Sequence, residues 1–267
     1  MQDTGKFRTN ILDKYYTCKS VATECVDIML KTCSQRTWIE PSAGNGSFLI
    51  KQDEIQWTAF DIEPDSKNII KQDFLEWQPN VNGEYAVVGN PPFGRQSSTA
   101  RKFIKKSCEF ANAIGFILPL SFSKPSMQKA FPTNFHLVHQ HKLQSNSFII
   151  NNNTTYNVPC VFQIWVKKDH NRTLEVVETP TKFKFVKVID DWDVAIRRVG
   201  VNAGQSHLRQ NGVLPNTQSH YFIKTETHLD IDKLNAHIFP TNTTGPRSLS
   251  KGEVTTVVNR ILQDAST

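Results

Sequence analysis

Three short apolar runs, Thr37-Trp38-Ile39-Glu40, Trp57-Thr58-Ala59-Phe60-Asp61 and Tyr85-Ala86-Val87-Val88-Gly89-Asn90, each stop at a polar side chain. Runs of this length alternating with helical spacing predict a parallel sheet with crossover connections, in which ligands gather where strands end. Strands are expected at about 36–40, 56–61, 85–89 and 114–118. Helices are expected over residues 20–32, with Ser20 as cap, and from Ala100 to Phe110, a basic amphipathic stretch with Phe103, Ile104 and Phe110 turned inward. Phe135 to His141 and Val158 to Val166 read as two further strands, with the polar run Asn151 to Thr155 between them as an exposed loop.

The strand ends carry the chemistry. Glu40 is followed by Pro41-Ser42-Ala43-Gly44-Asn45-Gly46-Ser47, a glycine loop and the expected start of a helix. Two glycines let a backbone pass close to a ligand. The spacing is neither the lysine-bearing phosphate loop nor the full three-glycine dinucleotide fingerprint. An acid at Glu40 would repel a pyrophosphate and suits a ligand bearing an ammonium and a sulfonium. Asp61 stands about twenty residues beyond the glycines, where α/β cofactor folds hold ribose hydroxyls, with Ile62 beside it. Asp73, followed by Phe74, is able to accept from an adenine amino group. Last comes Asn90-Pro91-Pro92-Phe93. Two prolines fix φ and donate no hydrogen bond, so the turn is stiff. The Asn90 side-chain oxygen and the Pro91 carbonyl can then accept both hydrogens of one NH2 group while Phe93 stacks on the ring that bears it.

Together these motifs resemble the S-adenosylmethionine-dependent N6-adenine DNA methyltransferases, in which the cofactor motifs precede the catalytic one. The likeness spans roughly residues 10–167. Leu12-Asp13-Lys14-Tyr15-Tyr16-Thr17 is similar to the family's Tyr-Tyr-Thr segment, which contacts the methionine end of the cofactor, although Cys18 stands where the family usually has proline. Phe116 to Phe122 is similar to the following strand, whose proline end helps to floor the site. The resemblance implies a Rossmann-like α/β fold with a seven-stranded, mostly parallel sheet, closed by a reversed pair of strands. It implies S-adenosyl-L-methionine as cofactor, held by Tyr16, Thr17, Glu40, Pro41, Ser42, Gly44, Gly46, Asp61, Ile62, Asp73, Phe74 and Asn90. It also implies Asn90, Pro91, Pro92 and Phe93 as catalytic residues, a flipped adenine as substrate, and Phe148 or Tyr156 as a second aromatic wall. The same turn occurs in enzymes that methylate adenine or guanine amino groups in RNA, and a related Asn-Pro-Pro-Tyr serves a glutamine amide in protein. A catalytically inactive nucleic-acid-binding subunit is the non-enzyme alternative.

Beyond Lys167 the character changes. The catalytic domain is expected over residues 1–170 and a small α+β segment over 171–267, with a strand from Phe183 and a capping box, Ser250-Lys251-Gly252-Glu253, opening a helix from Val254 to Leu262. By resemblance this segment reads the target, with Arg197, Arg198, Arg209, Lys224 and Lys251 as candidates for phosphate or base-edge contact, and a helper or specificity subunit as a further partner. A net charge of +6 suits a nucleic-acid partner. Five scattered cysteines without a Cys-x-x-Cys pair imply a reducing compartment and no structural zinc. No run is apolar enough to span a membrane and no leader is evident, so an intracellular location, cytoplasmic or nuclear, is expected and Asn-x-Thr strings near Asn153, Asn171 and Asn242 are not read as glycan sites. His136, His139 and His141 follow strand alternation better than metal spacing. Asp190-Asp191-Trp192-Asp193 has no Glu-x-Lys to complete a nuclease site and reads as a turn.

Overall fold

In the computed structural model, residues 15–264 are described apart from 36, 80–82, 151–153, 175–177, 189–190, 211–213 and 244. Leu12, Asp13 and Lys14, Asn151 to Asn153, and Asp190 therefore lie outside the described residues. The chain divides after Leu174 into two compact units.

The first unit runs β1 (Tyr16–Thr17), α1 (Lys19–Thr32), β2 (Thr37–Glu40), β3 (Gln56–Asp61), β4 (Ile70–Lys71), β5 (Tyr85–Gly89), α2 (Ser98–Phe110), β6 (Ala113–Pro119), α3 (Pro125–Gln128), β7 (Phe135–Lys142), β8 (Phe148–Ile150), β9 (Thr154–Tyr156) and β10 (Cys160–Lys167). Seven strands form one sheet in the order β4-β3-β2-β5-β6-β10-β7. It is the mostly parallel, doubly wound α/β sheet that the strand pattern predicts. Of the two closing strands only β10 is reversed, antiparallel to both β6 and β7.

Both faces of this sheet are covered, so its central strands are apolar throughout. Alternate residues of β5 show the division. Ala86 and Val88 pack with Ala22, Cys25, Val26 and Met29 of α1. Val87 packs with Ala100, Phe103 and Ile104 of α2. The first crossover differs from expectation: no helix follows the glycine loop, whose residues 44–48 form turns. Asn45 explains it, because its side-chain oxygen accepts from the Ser47 N–H at 3.1 Å and the Ser47 hydroxyl at 2.7 Å, an alternative to helical pairing. The cap of α1 is Cys18, without a side-chain cap bond, and Ser20 lies inside the helix.

A smaller sheet, β1-β8-β9, pairs Tyr16 with Ile149 and Thr17 with Phe148. Thr154 and Thr155, read as loop, are exposed strand residues of β9.

The second unit is α+β. It contains β11 (Phe183–Val186), β12 (Val194–Arg197), β13 (Ser206–Leu208), β14 (His220–Thr225), α4 (Ile231–Ala236) and α5 (Lys251–Asp264). Its antiparallel sheet has the order β11-β14-β12-β13. Phe183, Val194, Ile196 and Ile223 pack with Val254, Val258 and Ile261 of α5 into a core of its own. The capping box is formed: the Ser250 N–H donates to Glu253 Oε2 at 2.7 Å and the Glu253 N–H to Ser250 Oγ at 3.2 Å.

Candidate active site

The strand order reverses between β2 and β5, and in open α/β sheets a crevice forms at such a point beyond the carboxyl ends of the strands. A cleft of about 240 Å³ lies there, walled by Glu40 from β2, Asp61 from β3 and Asn90 after β5. Tyr16 and Thr17 of β1 line it from the smaller sheet, and Asp73 and Phe74 from the loop after β4. Pro41, Ser42, Gly44, Ile62 and Pro92 complete the expected residues that line it. Gly46 is not in the wall; its φ of +78° serves the turn. Ile62, 52 % exposed, offers an apolar edge at the rim.

Backbone geometry holds the acids in place. Gly44 has a φ of +53°, and a Cβ there would meet Tyr16 Cε1 at 2.9 Å. Its N–H donates to Asp61 Oδ2 at 2.7 Å, while the Glu63 N–H donates to Asp61 Oδ1 at 2.8 Å. Each Asp61 oxygen thus keeps one lone pair for a ligand, while Oδ2 ties the glycine loop to the end of β3 and Oδ1 fixes the turn that follows the strand. The Tyr16 hydroxyl donates to Asp65. Burial, then this bond and the surrounding carboxylates, push that phenol up to about 12, so it stays a neutral donor.

Asn90 is held from two sides. Its Nδ2 donates to the Tyr15 carbonyl at 3.2 Å, and its own carbonyl accepts from Ser42 Oγ at 3.2 Å. The side-chain oxygen is left over. Buried polar atoms are nearly always paired, so those that are not need explaining. Among the described residues, Thr17 Oγ1, Glu40 Oε2 and Asn90 Oδ1 are buried without a hydrogen-bond partner, and all three residues line this one cleft. Glu40 is 2 % exposed. Burial first, and the neighbouring Asp61 charge second, hold its carboxyl well above the usual carboxylate range. The cleft therefore offers a cation a buried carboxylate and offers an amino group an oriented acceptor.

The structure brings together the strand-end residues but not every aromatic one. Pro91 is buried, and half-buried Phe93 packs against both core clusters. Phe148 is 1 % exposed inside the α1-side core, so it cannot wall the cleft. Tyr156 instead stacks on Tyr15, ring centroids 5.2 Å apart, and Tyr15 lines the cleft. Tyr15, the first residue of the Tyr-Tyr-Thr segment, contributes the backbone carbonyl that holds Asn90, which no residue type signals. Thr99 and Phe103 of α2 also line the cleft, and the inward spacing of Phe103 was the only hint.

The cations proposed as phosphate contacts in the second unit are largely committed. Lys224 Nζ lies 2.7 Å from Asp191 and 2.8 Å from Asp193, and Arg209 lies 2.8 Å from Asp191. The acidic cluster is thus a clamp that neutralises two of the candidates. Arg197 Nε donates to the Val199 carbonyl, Arg198 lies over the Tyr221 ring and Lys251 over Phe185. His139 and His141 contact each other at 2.9 Å, and among the described residues no three His, Cys, Asp or Glu side chains converge as a metal site.

No known family profile matches the chain, and no curated protein matches it by sequence. Solved structures similar to it include an RNA methyltransferase candidate from Pyrococcus horikoshii, at 16 % identity and TM-score 0.47, covering 61 % of this chain and 91 % of that one. Another is the N-methyltransferase NodS from Bradyrhizobium japonicum, at 10 % identity and TM-score 0.42, covering 57 % and 96 %. A candidate class I S-adenosylmethionine-dependent methyltransferase from Listeria monocytogenes follows at 14 % identity and TM-score 0.42, covering 67 % of each chain. Likenesses this low say nothing about the reaction.

Proposed function

We propose that this chain binds S-adenosylmethionine in the cleft and methylates an exocyclic amino group of a nucleic-acid base, N6 of adenine in DNA. The observation that carries the reading is the convergence of three unpartnered oxygens, on Thr17, Glu40 and Asn90, in one cleft at the switch point.

Bound there, S-adenosylmethionine would supply an electrophilic methyl group on a sulfonium. Glu40, ionised by the encounter, would balance the ligand's positive charge, and Thr17 Oγ1 would bond its methionine end. Asp61 would take the ribose hydroxyls with its two spare lone pairs, and Asp73 the adenine amino group. Asn90 Oδ1 and the Pro91 carbonyl would accept both hydrogens of the target amino group. An aromatic amine is a poor nucleophile because its lone pair is delocalised into the ring. Two acceptors favour a tetrahedral nitrogen with that pair free to attack in line. The nitrogen would bond the methyl as the sulfur–methyl bond breaks, that electron pair staying on a neutral thioether, and the amine would afterwards lose a proton to solvent, so Asn90 never has to be a base. Catalysis is then orientation and electrostatics. In a duplex the base must first leave the stack, at a cost of a few kcal/mol. Phe93 and the Tyr15–Tyr156 pair are the aromatic surfaces that would receive it.

The test uses methyl-labelled cofactor with duplex DNA, single-stranded DNA and structured RNA in separate reactions, each digested to nucleosides. Label in N6-methyladenine of DNA is the expected result. Label confined to RNA would move the substrate to the alternative nucleic acid and keep the site. Label in neither would overturn the reading.

A further inference from the structure

The chain's positive charge is unevenly placed. From Tyr85 to Lys168 there are ten lysines and arginines and a single acid, Glu109. Residues 15–84 hold six cations against eleven acids. The unit from Glu175 onward, where the target-reading residues were expected, holds eleven against ten and is nearly neutral. In the sheet order, β4-β3-β2 belongs to the acidic stretch and β5-β6-β10-β7 to the basic one, so the sign changes at the switch point where the cleft lies.

Within the basic half the cations that follow the Asn90-Pro91-Pro92-Phe93 turn most closely in sequence are Arg95, Arg101, Lys102 and Lys105. All four are exposed, and among the described residues none is in an ion pair. Helix α2 explains their arrangement. Ala100, Phe103 and Ile104 are buried on its inner side, which leaves 101, 102 and 105 on the outer one. Arg101 and Lys105, one turn apart, rise about 6 Å along the axis. Thr99 and Phe103 of the same helix line the cleft, so the basic face lies about one helix diameter, roughly 10 Å, from the cleft wall. Glu109, the lone acid, is occupied by Lys106 at 3.3 Å and does not cancel the outer three. Arg101 is steadied by Met127, its Nη2 3.0 Å from the sulfur.

We propose that Arg95 and the outer face of α2 form the track on which the phosphodiester backbone of the nucleic acid lies while its base occupies the cleft. The proposal rests on the nucleic-acid reading above and moves the main phosphate contact from the C-terminal unit to the catalytic unit itself. Such contacts position the substrate and carry no sequence information.

The experiment compares the full chain with two double variants, Lys102→Glu/Lys105→Glu and Lys184→Glu/Lys251→Glu. Binding of fluorescein-labelled DNA and RNA oligonucleotides is followed by anisotropy across a salt series, and S-adenosylmethionine binding by calorimetry. The α2 variant should bind the preferred oligonucleotide at least about tenfold more weakly, with a salt slope reduced by about two for the two lost phosphate contacts, and with cofactor affinity unchanged. The C-terminal variant should lose less than threefold. Undiminished binding by an α2 variant that still takes up cofactor would overturn the inference and leave the nucleic-acid reading standing. If the unaltered protein bound neither DNA nor RNA at low salt, both would fall.

Discussion

Asn90 and Glu40 present the same anomaly, a buried oxygen without a partner, with different consequences. Asn90 Oδ1 is aimed by the Nδ2 bond to the Tyr15 carbonyl, so Asn90→Ala removes an acceptor and leaves the walls of the cleft in place. Its kcat should fall by about 10²–10³, the scale for deleting one oriented group of this kind, with cofactor affinity by calorimetry within about twofold. Lost cofactor binding with a normal rate would contradict the assignment. Glu40 is costly to the folded protein. Its carboxyl is held above the ordinary range, so the native state binds more protons than the unfolded one and stability falls as pH rises from about 4.3 through the raised value. Glu40→Gln should therefore be more stable than the parent at neutral and alkaline pH, with a flatter pH profile in urea denaturation, yet bind S-adenosylmethionine at least about tenfold more weakly. A variant that lost stability at pH 8 and kept its affinity would sink both halves of that account.

At the scale of elements, helix α5 offers the cleanest test, because its cap was legible in four residues. Ser250→Ala removes the hydroxyl that accepts from the Glu253 N–H, and should cost about 1 kcal/mol in denaturant unfolding without affecting cofactor binding. Elements announced by the apolar pattern of their own residues were legible in this way: β2, β3, β5, β6 and α2 fall within a few residues of their apolar runs. The carboxylates at strand ends were legible too, since the fold dictates where strand ends meet. Two of the misses share a cause. The β8–β9 hairpin is six described strand residues whose reason is to pair with β1, more than a hundred residues earlier, and no periodicity within it announces that. Phe148 looked like an available ring because it flanks the Asn-rich loop, but the pairing of β8 with β1 turns it into the core. The missing helix after the glycine loop went the other way: Asn45, close by, competed with a pattern too short to resist it.

At the scale of the whole molecule, each unit has its own core: the clusters around α1 and α2 contain only residues before Leu174, and the cluster around α5 only residues after it. Residues 1–174 produced alone should unfold cooperatively in calorimetry and keep the cofactor affinity of the full chain within about threefold; an insoluble or cofactor-blind fragment would show that the first unit is not self-sufficient. The division of charge along the large sheet has a kinetic reading as well. A polyanion drifting toward the first unit is drawn by the stretch from β5 onward and pushed back by that from β2 to β4, so the field turns it before any atom touches. Most random collisions begin in the wrong orientation, and this torque rescues a share of them. If the proposed reading holds, added salt should slow arrival much more than it shortens residence, and the protein would search for a base as a swinging compass needle rather than a sphere.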